Sequence, residues 1–119
     1  MAYVDGYVLP VPEENLNAYI AMAKIAADVW MEHGAIEYRE CVSDDMKSEF
    51  GVSFPDNLQL KPGEIVVFAW IKFKSKDHRD EVNKKKAMND SRLKDMNGAE
   101  MPFDCGRMVY GGFRTMVEG

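Results

Sequence analysis

Apolar positions along this chain form one unbroken run, three alternating stretches and two stripes along one long helix. The run is Glu64–Phe73, EIVVFAWIKF, in which seven of ten residues are continuously apolar from Ile65 to Ile71. Its β-branched and aromatic content, opened by Pro62-Gly63, predicts a strand buried on both faces. Tyr3 to Val11 alternates, placing Val4, Gly6 and Val8 on one face and Tyr3, Asp5, Tyr7 and Leu9 on the other. Gly6 within it predicts close packing by a neighbour. Ala35 to Val42 and Arg107 to Val117 alternate as well and predict the second and fourth strands.

Between the first two strands, Glu13-Glu14 open a helix that runs to His33, with Gly34 as its closing residue. Leu16, Tyr19, Ile20, Ala23, Ala26, Ala27 and Trp30 make one apolar stripe, and Ala18, Met22, Ile25 and Val29 a second. Only Asn17, Lys24, Asp28 and Glu32 keep a polar edge, so the helix is expected to bury two faces, one against another subunit. Ser75 caps a second helix, with acidic residues early and Lys84-Lys85-Lys86 late. Ser91 to Met96 adds a further turn, broken by Asn97-Gly98. The polar stretch 43–61 is long for a loop in a compact domain and reads as functional or mobile.

The order β-α-β-β-α-β predicts one α+β domain over residues 1–119: a ferredoxin-like antiparallel sheet with its two helices on one face and its first and third strands central. The other face would be left open. Two sheets packed face to face would cover it, so a homodimer is expected.

Composition narrows the function classes. A net charge of −5, with Lys84–Lys86 the only basic run, argues against nucleic acid as a partner. No stretch approaches the ~18 apolar residues of a membrane span, and the first residues lack a signal-peptide pattern. A cytoplasmic protein is expected. Cys41 and Cys105 read as reduced, buried thiols. Neither histidine, His33 or His78, stands at metal-ligand spacing with a cysteine or the other histidine, and no metal or cofactor is expected. His78-Arg79-Asp80 spells the kinase catalytic-loop triplet but lacks the glycine-rich loop that would give it meaning.

The candidate chemistry gathers on the sheet. Asp5 is a carboxylate in a strand read as central, and Trp70 and Tyr110 from flanking strands would share its face. A buried carboxylate can serve as general base, and an ion pair with Arg114 or Arg39 is the structural alternative. Gly111-Gly112 marks a bulge or a close backbone approach. The second helix is short of apolar residues: between Lys76 and Asp90 only Val82, Ala87 and Met88 qualify. If Val82 faces the sheet, Arg79, Asn83 and Lys86 lie beside it. Arg79 and Lys86 could snorkel to solvent. The sharper expectation is a polar cavity lined by Arg79 and Asn83 with Arg107 at its edge, suited to an anionic small molecule.

Four segments, YVDGYVLPVP at Tyr3–Pro12, ECV at Glu40–Val42, VVFAWI at Val66–Ile71 and MPFDCGRMVYGGF at Met101–Phe113, are similar to the YbaA-like family of small uncharacterised bacterial proteins. Ser75 to Arg92 resembles the family too, with Arg79-Asp80 and Asn83 in place and Ser91 where the family has proline. The resemblance covers nearly the whole chain and implies membership of the dimeric α-β barrel superfamily. That superfamily includes cofactor-independent oxygenases, haem-degrading enzymes, lactone isomerases and regulatory ligand-binding domains, and fold alone does not choose among them. The expectation is a homodimeric small-molecule-binding protein. An oxygenase or isomerase without cofactor, and a structural or interaction module, are the alternatives.

Overall fold

A computed structural model describes residues 1–97 and 100–119. Its four strands are β1 (Tyr3–Pro12), β2 (Glu37–Val42), β3 (Glu64–Phe73) and β4 (Val109–Arg114). They form a single antiparallel sheet in the order β2-β3-β1-β4, so the two ten-residue strands are the inner pair. Asp5 lies opposite Ile71 and Gly112, and Gly6 opposite Trp70 and Gly111. That register assigns every odd residue of β1 to one face and every even one to the other.

Helices cover the odd face. Helix α1 (Leu16–Glu32) follows a 3₁₀ turn at Glu13–Asn15 and buries Tyr19, Ala23, Val29 and Trp30. Gly34, at φ +113°, lets the chain leave it: the Gly34 N–H donates to Met31 O at 3.2 Å and that of Ala35 to Trp30 O at 3.0 Å. The expected second stripe is divided, with Val29 in the core while Ala18 and Ile25 stay exposed. A short helix, α2 (Phe54–Leu58), stands in the long 43–61 connection, capped by Ser53, whose Oγ accepts from Asp56 N at 3.2 Å.

Ser75 caps α3 (Lys76–Asp80) as expected, its Oγ accepting from His78 N at 3.1 Å. The helix then widens into a π turn over Glu81–Lys86 and tightens into a 3₁₀ turn at Ala87–Asn89. Val82 and Ala87 explain the widening. Both are fully buried although five residues apart, which on a regular α-helix would set them about 140° from each other. The π turn swings both to the sheet. Helix α4 (Ser91–Asn97) follows, joined to the end of α1 where His33 Nε2 meets Asp90 Oδ2 at 2.9 Å. The predicted stop at Asn97-Gly98 involves Gly98, which lies outside the described residues. No helix among those described is long and apolar enough to cross a membrane.

The chain measures 38 × 38 × 20 Å, and 20 Å is the depth of one sheet and one helical layer. The even face of the sheet is therefore bare. There Phe68, Val109 and Phe113 are 43%, 54% and 62% exposed beside half-buried Trp70. Strand β3, expected to be buried on both faces, is buried on its helix-facing side and only partly on the other. Both cysteines are exposed thiols, not buried ones. Cys41 lies opposite Phe68 in the β2–β3 register, on the bare face.

Candidate functional site

The apolar core does not close into one body. Val29, Trp30, Ile71, Phe73 and Val82 belong to one cluster, and Leu9, Val11, Tyr19, Ala23 and Val67 to another, with Tyr7 touching both. Between them lies a cavity of about 480 Å³. Its origin is in the sequence. Ala23, Ala26 and Ala69 are small where they line it, and the helix opposite offers few apolar side chains to fill it. Methionines 22, 88, 96, 101 and 108 form much of the rest, a soft lining that can adjust to an occupant.

Two polar networks border this space. In the first, Asp5 is completely buried. Its Oδ1 accepts from Arg79 Nη1 at 2.6 Å and its Oδ2 from Asn83 Nδ2 at 3.0 Å. Asn83 Oδ1 in turn accepts from Trp30 Nε1 at 2.8 Å, so one amide ties α1, the π turn and β1 together. Arg79 also donates to Asp80 Oδ1 at 2.7 Å and to the Tyr110 hydroxyl at 3.2 Å, and its guanidinium lies 4.7 Å from the centre of the Tyr3 ring. Burial opposes the Arg79 charge, but Asp5 and Asp80 outweigh it and its pKa is raised.

The second network centres on Glu40, whose Oε1 accepts the Tyr19 hydroxyl at 2.6 Å and Oε2 the Tyr38 hydroxyl at 2.7 Å. Burial raises the pKa of both phenols, and the Glu40 carboxylate raises it further. Tyr7 is raised by burial first and then by Asp5. Among the described residues its hydroxyl has no hydrogen-bond partner. All three therefore remain protonated donors far into alkali. Their neutral form is favoured by the fold, so that contribution is complete below the unfolded phenol value of ~10 and is lost as pH rises above it. In a spectrophotometric titration, Tyr7, Tyr19 and Tyr38 should ionise together with loss of the far-ultraviolet circular dichroism. Ionisation of all five tyrosines near pH ~10 with the fold intact would contradict this.

The sequence-predicted residues are thus placed unequally. Arg79, Asn83 and Tyr110 converge on Asp5, and Asn83 and Tyr110 also line the cavity. Trp70 does not join them. It stands opposite Gly6, on the even face, and donates from Nε1 to Glu37 Oε1 at 2.9 Å. Arg107 is also elsewhere, paired with Glu64 at 2.6 Å. That hydrogen bond raises the Arg107 pKa and lowers that of Glu64. The two-arginine anion site accordingly does not assemble. Asp5 pairs with Arg79, not with Arg114 or Arg39, and Arg79 turns inward while Lys86 stays exposed near Glu81 at 3.6 Å. Engaged at both oxygens and set back from the cavity wall, Asp5 acts as a brace. Gly111-Gly112 is no bulge, since both pair regularly with β1. At Gly112 an added Cβ would stand 2.5 Å from the Tyr3 hydroxyl and 3.0 Å from Arg79 Nη1, so the glycine makes room for the inward arginine. Glu40 and its tyrosines were not singled out by the sequence. Their one signal is that Tyr38 and Glu40, two apart, must share a strand face.

The comparisons with known proteins follow the same whole-chain pattern. The family described as a protein of unknown function, DUF1428, matches residues 2–105. The uncharacterized protein YbaA of Escherichia coli strain K12 is 41% identical over 118 residues, 99% of each chain, and YbaA of Shigella flexneri matches to the same extent. Among solved structures, Rv0793 from Mycobacterium tuberculosis aligns with a TM-score of 0.55 at 12% identity over 99% of this chain and 98% of that one, a likeness of fold alone. From Tyr3–Pro12 at its first strand to Met101–Cys105 before its last, the chain belongs to the DUF1428 family, together with the YbaA proteins.

Proposed function

We propose that this protein is a homodimeric small-molecule-binding protein whose ligand occupies the cavity between the sheet and α1. The subunit is read as ferredoxin-like, and the dimer as an α-β barrel formed by two bare sheet faces. One observation carries the proposal: a cavity of about 480 Å³, walled mainly by apolar and aromatic side chains, with a few polar groups converging on it. That size and composition are those of small-molecule sites in general. A Tyr7 hydroxyl with no partner among the described residues and a Glu40 carboxylate with acceptor capacity to spare would orient the occupant.

The uncharged fluorescent dye Nile red tests the cavity. Saturable binding at one site per chain is expected, together with its loss in Ala26→Trp, where an indole would fill the space. Melting curves would establish that this variant folds. Equal binding by wild type and Ala26→Trp, or none by either, would remove the cavity as the site.

A further inference from the structure

Glu40 is the sole charged residue lining the cavity among the described residues. Its two oxygens each take one tyrosine hydroxyl, at 2.6 and 2.7 Å. A carboxylate offers about four acceptor positions, so roughly two remain. The tyrosines orient the group without neutralising it, because burial and Glu40 itself hold their protons in place. Among the described residues no cation lines the wall to balance it. Arg79 is committed to Asp5 and Asp80, and Arg107 to Glu64. Rings of Tyr7, Trp30, Phe103 and Tyr110 line the same space, and aromatic faces attract cations. An anionic ligand would meet an uncompensated like charge there, whereas a cation would find a carboxylate to pair with.

We infer that the cavity takes an organic amine, with an apolar, ring-bearing body among the methionines and aromatics and a protonated nitrogen donating to Glu40. The inference rests on the cavity being the binding site. It goes further by assigning the ligand's charge and by making Glu40 the residue that selects it. The competing role for Glu40 is a structural tie between β2 and α1 through Tyr19.

Calorimetric titration with three probes of one shape and different charge separates these. The probes are tryptamine, the neutral alcohol tryptophol, and indoleacetate. Tryptamine is expected to bind about tenfold tighter than tryptophol, the margin between a charge-assisted and a neutral hydrogen bond, with indoleacetate weakest. Glu40→Gln should lose roughly that factor for tryptamine and leave tryptophol within about twofold, which also shows that the variant folds. Tyr38→Phe keeps the charge and should keep the preference for the amine. Equal binding of tryptamine and tryptophol to wild type, or a preference that survives in Glu40→Gln, would overturn the assignment while leaving the cavity as a site. Failure of all three probes to bind at millimolar concentration, together with absence of Nile red binding, would overturn both.

Discussion

Replacing Asp5 with alanine is expected to lower folding stability by about 3 kcal/mol, because it removes the fully buried partner of Arg79 and leaves the guanidinium only one carboxylate, Asp80, 2.7 Å away. Asp5 is wholly inaccessible, and the Arg79 side chain is only 14% exposed. Without the carboxylate, the guanidinium loses its 2.6 Å partner and the Asn83 amide its acceptor at 3.0 Å. Against the total of roughly 5–15 kcal/mol typical of a small domain, that loss is large. Urea unfolding of Asp5→Ala, Arg79→Met and the double variant measures it. The double variant should be less destabilised than the sum of the singles, since the one charge it leaves unpaired, Asp80, is exposed to water. Strict additivity, or a loss below about 1 kcal/mol for Asp5→Ala, would show that the pair does not brace the sheet against the π turn.

Phe68→Glu should leave the subunit folded and weaken the proposed dimer by at least a hundredfold. Phe68 is 43% exposed on the bare face, so a carboxylate there is tolerated in an isolated subunit. Pressed against a second sheet it would be an unpaired charge in an apolar contact, costing about 3 kcal/mol or more. Sedimentation velocity across a concentration series should show wild type at twice the 13.5 kDa chain mass and the variant falling towards 13.5 kDa. Wild type sedimenting as single chains would end the dimer proposal. A variant as dimeric as wild type would move the contact to another surface, such as exposed Ile20 and Ile25 on α1.

Strand β3 was legible to the residue, because an apolar run bounded by Pro62-Gly63 and Lys74-Ser75 has few other ways to fold. Strand β4 was not. It was expected over Arg107–Val117 but spans Val109–Arg114. At its start a 3₁₀ turn takes Cys105–Arg107, capped by Asp104, and past its end a bond from Thr115 N to Ala2 O at 3.0 Å follows the last ladder pair, Tyr3 with Arg114. Strand pattern alone gives face parity but not which parity shares a face across strands; register decides that. Asp5 and Tyr110 proved to be on one face and Trp70 on the other for this reason. Arg79 and Asn83 could be read from their spacing around Val82. Arg107 could not, because its Glu64 partner lies 43 residues away in sequence.

The π turn at Glu81–Lys86 also makes chain length itself a determinant of the site. Five residues here advance about as far around the axis as four do in regular winding, so a helix carrying one residue fewer could revert to regular winding with later positions still in phase. Regular winding at the present length would instead turn the core residue Ala87 away from the sheet. A one-residue deletion at exposed Lys84 or Lys85 is therefore a length change that the packing can absorb, whereas an insertion there is not.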